Sequence, residues 1–375
     1  MRIICRYIIA VIFVFAAFNI SYAQTAEELL KKGDEQFKAS NYAEAVLLTG
    51  QAIKLNPSYK QAYLLSGKSK DNLGDREGAA ADFTKAIEID AKYSDAYLNR
   101  GMIKDALQDY DGALSDYGKV IEINPQDTLV FYYRGNLKYS LGKYEEGMSD
   151  YLNAIKLAPF NYEIYNNTGN TALALNNNES AVSYYSKALE INPVFTPAYY
   201  NRGIAKYNMN DKQGAIADYN KAIETDSNYY NAYNGRGIVK YDLNQKEEAI
   251  SDYTKALEIY PAYTDGLLNR AIAFYALEDY ASSMADLNTL LSFDDRYALA
   301  YNSRGLTNYA MKDNPEAIKD FMKAIELNPD YAEAYYNLGV AKYAMGDYKG
   351  ACKVWAKAGK LGYSEAFNVI KEYCK

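Results

Sequence analysis

No histidine occurs among the 375 residues, and there are only three cysteines and one tryptophan. Without His the chain lacks the commonest general base and the commonest metal ligand. Three Cys at positions 5, 352 and 374 leave no Cys/His spacing that would hold zinc. No glycine-rich phosphate loop leads into Lys-Ser or Lys-Thr, and there is no GxSxG elbow and no HExxH. Positive charge is also in deficit, with 41 Lys and Arg against 48 Asp and Glu, a net −7. That balance disfavours a broad phosphate-binding surface. The residues therefore indicate no catalytic group, no cofactor, no metal and no nucleic acid. The abundant carboxylates read as solvated or helix-capping groups.

What is present begins with an export signal over residues 1–23. Arg2 and Arg6 precede an apolar run, Tyr7 to Phe18, and Ser21-Tyr22-Ala23 supplies small residues for cleavage before Gln24. The run is short for a bilayer span, so no stable membrane anchor is expected after cleavage. Cys5 lies before the run, which gives a lipoprotein anchor no support. Loss of Arg2 and Arg6 leaves 39 basic residues against 48 acidic, a net charge of −9. The mature protein is expected to be soluble, acidic and exported to the periplasm or the exterior.

From residue 24 to 362 the chain repeats itself every 34 residues without insertion or deletion, with units starting near 26, 60, 94, 128, 162, 196, 230, 264, 298 and 332. One column holds Gly33, Gly67, Gly101, Gly135, Gly169, Gly203, Gly237, Gly305 and Gly339, with Ala271 in the gap. Twelve residues later stand small residues, Ala45 to Ala351, with Gly147 and Ser283 among them. Four further on come Phe83, Tyr117, Tyr151, Tyr185, Tyr219, Tyr253, Phe321 and Trp355. Pro57, Pro125, Pro159, Pro193, Pro261 and Pro329 mark unit ends, where a helix cannot continue. Small residues let two antiparallel helices approach closely, and the aromatic fills the wedge where they open. Asn314-Pro315 reads as a helix start with Asn as the cap.

These columns resemble the tetratricopeptide repeat over about nine-tenths of the chain. The resemblance implies an all-α fold, a right-handed α-solenoid (superhelix) of ten 34-residue helical hairpins, with the first helix of each lining the concave face. A single unit cannot bury its own apolar side, so stability comes from stacking. Residues 363–375 read as a C-terminal capping helix. In an oxidising compartment Cys352 and Cys374 are most simply a disulfide that staples this cap. The rival reading, a reactive dithiol, has no CxxC and no basic neighbour to support it.

The array departs from the family where Arg precedes the Gly. Arg100, Arg134, Arg202, Arg236, Arg270 and Arg304 are each followed sixteen residues later by Asp116, Asp150, Asp218, Asp252, Asp286 and Asp320. Joint presence and joint absence of the two favour bidentate clips within a hairpin over a basic row offered to an anionic ligand. Asp82, opposite Ser66, breaks the pairing and would reach Arg100 instead.

The informative surface is the inferred concave groove. Its candidate ligand-binding residues are Asn99, Tyr133, Asn136, Asn167, Asn170, Asn201, Asn234, Asn269, Asn302 and Asn337. An Asn amide pairs with both groups of a peptide bond, and in some long superhelices of the resembled family such a ladder holds a bound main chain. The competing reading is that these Asn tie adjacent first helices together. Tyr139, Tyr207, Tyr241, Tyr275, Tyr309 and Tyr343 form a further column, read chiefly as packing. The carboxylate-binding clamp of the family does not carry over: its basic position is filled by Lys31 in the first unit only, and by Leu65, Asn99 and others thereafter. The expected function is a non-catalytic extracytoplasmic scaffold that binds a protein or extended peptide along the groove. The alternative is a glycan or cell-wall binding module using the same Tyr and Asn side chains.

Overall fold

The computed structural model describes residues 25–374, so the export signal, residues 1–23, lies outside the described residues. Among those described, every regular element is a helix. The chain divides into two compact units at Thr171/Ala172. The first unit holds four hairpins: α1 (Ala26–Lys38) with α2 (Tyr42–Leu55), α3 (Lys60–Asn72) with α4 (Arg76–Ile89), α5 (Ser94–Ala106) with α6 (Tyr110–Ile123), and α7 (Thr128–Ser140) with α8 (Tyr144–Leu157). The fifth pair in sequence is α9 (Tyr162–Ala174), which carries the division, and α10 (Asn178–Ile191). The second unit continues with α11 (Thr196–Asn208) and α12 (Lys212–Thr225), then α13 (Tyr230–Asp242) and α14 (Lys246–Ile259). Hairpin 8 is α15 (Thr264–Ala276) with α16 (Tyr280–Phe293), hairpin 9 is α17 (Ala298–Ala310) with α18 (Asn314–Leu327), and hairpin 10 is α19 (Ala332–Ala344) with α20 (Tyr348–Lys360). A last helix, α21 (Glu365–Tyr373), packs on α20.

Local chemistry sets each boundary. Between the helices of a hairpin one residue adopts the left-handed conformation: Gly74, Gly142 and Gly346 do so freely, whereas Gln108, Glu278 and Lys312 are non-glycine residues at the same register. An Asp then caps the second helix, as Asp211 accepts from the Gly214 amide at 2.9 Å. In hairpin 9 this cap is Asp313, and Asn314 and Pro315 already lie in the helix; the sequence expectation of Asn314 as cap is off by one residue. At hairpin ends an Asx turn closes the chain, Asn328 Oδ1 accepting from the Asp330 amide at 3.1 Å beside Pro329.

Packing explains the columns. The aromatic lies flat on the glycine of its own hairpin: a Cβ added at Gly203 would stand 2.7 Å from the Tyr219 ring, and at Gly305 it would stand 2.6 Å from Phe321. The small column faces the glycine backbone instead, since a Cβ on Gly147 would sit 3.2 Å from the Gly135 carbonyl oxygen. The two exceptions agree with this geometry. Gly33 faces Thr49 rather than a ring, and in hairpin 8 Ala271 faces a core that contains Leu287 in place of the aromatic. Within each unit successive first helices touch one another (α1 with α3, α11 with α13), which makes the first-helix side the inner one.

All six Arg–Asp pairs are bidentate, with Nε to Oδ2 at 2.8–3.0 Å and Nη2 to Oδ1 at 2.6–2.8 Å. Every one of these Asp is buried. A third group four residues after the Arg completes most sites. Lys104, Lys138, Lys206 and Lys240 reach the same carboxylate at 2.7–2.9 Å, and Asn308 does so in hairpin 9. The remaining guanidinium nitrogen ties the hairpin to the preceding second helix through Thr84, Ser186, Asn220, Thr254 or Asn288. At Arg134 that position is Gly118, which has no side chain to offer. Asp82 does not reach Arg100; Ser66 donates to it at 2.6 Å and Lys70 pairs with it at 2.7 Å. The nearer partners win because both stand on the facing helix of the same hairpin.

Burial raises the phenol pKa of Tyr117, Tyr151, Tyr219 and Tyr253, and pushes that of Tyr200 up to about 12. The fold holds these phenols neutral, while an unfolded chain releases their protons near pH 10. Their contribution to stability is complete below that pH and is lost as pH rises through the folded-state values.

Three outcomes follow for stability. Gly203→Ala is expected to lower it by about 1–3 kcal/mol through the ring clash, whereas Gly33→Ala leaves it unchanged or higher through helix propensity; thermal melts of the two variants compare them. Asp218→Asn leaves a half-buried guanidinium and Lys206 without their charge partner and is expected to cost about 3 kcal/mol, with the double variant Arg202→Met/Asp218→Leu recovering much of it in denaturant titrations. Above pH 10 the last part of the phenolate absorbance, that of the buried rings, should rise together with the loss of helical circular dichroism; complete ionisation of the tyrosines with helicity intact would contradict the assignment.

Candidate functional site

The first-helix face was the expected site, and its asparagines are largely engaged with one another. Asn269 Nδ2 donates to Asn234 Oδ1 at 3.0 Å, and Asn337 Nδ2 donates to Asn302 Oδ1 at 3.0 Å, each pair joining successive first helices. Asn234 in turn donates to the Tyr263 hydroxyl at 3.2 Å. In the first unit Asn167 donates to Asn136 Oδ1 at 3.1 Å, an oxygen that also accepts from the Tyr151 hydroxyl at 2.6 Å. Asn99 turns back on its own helix, donating to the Asp95 carbonyl at 2.7 Å. Asn170 and Asn201 are engaged as well, and the Tyr133 ring packs edge-on against Tyr132 at 5.6 Å. An open ladder of unpaired amides is not what these residues form. Asn234, Asn302 and Asn337 are buried, and an amide taken out of water needs a partner, which the next first helix supplies.

The tyrosines behave alike. Tyr139, Tyr275 and Tyr343 pack against Tyr144, Tyr280 and Tyr348 at the start of the following helix, with ring centroids 4.8–5.5 Å apart. Tyr207 donates to Asp242 of the next hairpin, and that hydrogen bond pushes its pKa up to about 12. Tyr260 and Tyr263 lie near parallel but 6.2 Å apart, both against Tyr230. Rings that tilt onto one another do not offer the flat, open platform a sugar needs.

The face opens instead at the start of the first unit. A groove of about 710 Å³ lies across α1 and α3, walled by Leu30, Leu64, Leu65, Tyr59 and Tyr93. Lys31, Lys68 and Glu27 border it, whereas nearby Glu28 is taken up by the Thr25 capping box and Asp34 by Lys38 at 2.6 Å. Sequence reasoning centred on the asparagines missed this groove. Its signal was nonetheless present: Lys31 and Leu65 stand at the register that carries Asn in five later units.

At the other end Cys352 and Cys374 are joined in a disulfide, with Cα atoms 5.6 Å apart. The bridge fastens α21, whose Phe367 ring covers Gly359 and whose Tyr373 lies 5.0 Å from Tyr343. By the loop-entropy argument it contributes about 3 kcal/mol to holding this cap. Among the described residues no helix is long and apolar enough to cross a membrane, and no group of three His, Cys, Asp or Glu is placed to hold a metal ion.

Comparison with known proteins agrees with this architecture. Family models described as "Tetratricopeptide repeat" match residues 60–93, 94–127, 132–194, 196–229, 230–263 and 333–361, and one described as "TPR repeat" matches 309–346. No curated protein matches the sequence. Among solved structures, a tetratricopeptide repeat protein from Parabacteroides merdae is 22% identical with a TM-score of 0.52, covering 66% of this chain and 96% of its own. The APC/C hetero-tetramer Cut9–Hcn1 is 14% identical with a TM-score of 0.55, covering 94% of this chain and 85% of its own. These likenesses concern the fold. Repeat by repeat, from the glycine and its facing ring to the proline at the unit end, this chain belongs to the tetratricopeptide repeat family.

Proposed function

We propose that the protein is an exported, non-catalytic scaffold that holds an extended segment of a partner protein along its first-helix face, entering at the groove across α1 and α3. Proteins of this repeat fold characteristically serve protein–protein interaction and are generally not enzymes. The observation that carries the proposal is the groove itself: about 710 Å³ of open space with leucine and tyrosine walls between Lys31 and Lys68. Apolar walls supply the area that drives association, and Lys31, Lys68 and Glu27, which have no ion-pair partner among the described residues, place both signs of charge at its border to orient a bound segment. Export rests on the N-terminal sequence, and the Cys352–Cys374 bridge suits an oxidising compartment. The asparagines of the Asn136–Asn167, Asn234–Asn269 and Asn302–Asn337 pairs take a structural part in this reading, joining neighbouring first helices.

The test places a photo-crosslinking side chain at Gln61 in the groove, or at Glu88 on a second helix, in the protein from Gln24 onward. Partner crosslinks from the envelope fraction of its source are expected at Gln61 and not at Glu88. The variant Leu64→Asp/Lys68→Glu should lower their yield at least about tenfold, as a loss of roughly 1.4 kcal/mol or more implies. Asn337→Ala should lose about 1–2 kcal/mol of stability, by stranding Asn302, and still crosslink. Equal labelling from both faces would move the binding surface away from the first helices.

A further inference from the structure

Hairpin 8 is where the repeat columns fail together. Ala271 replaces the glycine, Ser283 the alanine and Leu287 the aromatic, and Ser303 follows where five other hairpins carry Asn. Elsewhere in the second unit the ring fills the space between successive first helices. Tyr219 lies on Gly203 and also reaches Gly235, where an added Cβ would stand 2.9 Å from it. A leucine ends well short of that distance. A pocket of about 220 Å³ opens at the corresponding place, on the face made by α15, α17 and α19.

The pocket's chemistry is divided. Ile272, Leu299, Leu306 and the Tyr275 ring give it apolar walls. Most of its polar atoms are paired internally: the Ser283 and Thr307 hydroxyls are 3.2 Å apart, and Asn302 Oδ1 accepts from Asn337. What remains is the half-buried carboxylate of Glu333, 3.5 Å from Asn302 Nδ2, with no cation at ion-pair distance among the described residues. A volume of this size admits one long side chain and no helix or aromatic stack. An aliphatic stem against apolar walls with a cationic head on a carboxylate is the arrangement that lysine and arginine adopt.

We propose that this pocket receives a lysine or arginine side chain of a bound protein segment and selects for it by charge. The proposal rests on the reading that the first-helix face binds a partner chain, and it adds the residue class recognised in the second unit. The stem lies on Ile272, Leu299 and Leu306, and the head pairs with Glu333. Acidic side chains are rejected by the same carboxylate, and a neutral isostere of lysine keeps only the apolar contact.

Small probes test the pocket without a known partner. Saturation-transfer NMR on the protein from Gln24 onward would compare the Nα-acetyl amides of lysine, arginine, norleucine and glutamate. Lysine and arginine amides are expected to bind roughly fivefold more tightly than norleucine, the range of a partly exposed ion pair, and glutamate amide not at all. Raising the salt should erase that preference without weakening norleucine. Glu333→Gln, a change at a partly exposed position, should abolish the preference, and Ser303→Leu, checked for folding by circular dichroism, should abolish binding of the lysine, arginine and norleucine amides. Equal binding of norleucine and lysine, or a preference that survives Glu333→Gln, overturns the proposal. The Glu333→Gln and Ser303→Leu comparisons read this pocket and not the groove across α1 and α3, so loss of crosslinks there would remove the extended-partner reading while leaving the charge preference measurable.

Discussion

The aromatic ring that lies on the glycine of its own hairpin sets the distance between the two helices, and most of the structure depends on that distance. With Tyr219 flat on Gly203, the small column comes against the opposite backbone, and the Arg and Asp meet at bidentate range. A hydrogen in place of a methyl is required because the ring already fills the space a Cβ would take. Where the ring is absent the glycine requirement lapses, as at Ala271. The columns are therefore one constraint expressed at several positions, not a set of separate preferences.

On this frame the buried charges take a specific part. Each Asp of a clip is nearly inaccessible and accepts two bonds from Arg, and in four hairpins a further one from Lys, so its desolvation is offset by two or three charge-assisted contacts. Because the guanidinium also reaches the second helix of the preceding hairpin, it links stacking between hairpins to closure within one. The same saturation removes these arginines from any part in holding an anion. A hydrophobic pair could fill the volume, but it would not dictate which second helix stands beside which.

Open space is left where the pattern lapses. Asn-to-Asn bonds join neighbouring first helices once in the first unit and twice in the second, and open space appears where the register changes type: at Lys31 and Leu65 in the first unit, and at Leu287 and Ser303 in the second. The two openings differ in charge, one bordered by side chains of both signs and the other by Glu333. A regular array thereby offers distinct chemistry at distinct points without altering its backbone.

Much of this was legible from the residues alone. A 34-residue period, the glycine and ring columns and the joint occurrence of Arg with Asp determined the hairpins and named the partners of every clip, because those contacts join positions at a constant offset within one unit. Contacts between units of the repeat were not determined in that way. Whether Asn269 faces a ligand or Asn234 depends on the rotation of one hairpin against the next, which no spacing within a hairpin specifies. The groove across α1 and α3 and the pocket beside Glu333 are likewise products of stacking: each is a volume left between helices, and only their tertiary placement decides where side chains of a given size leave it unfilled.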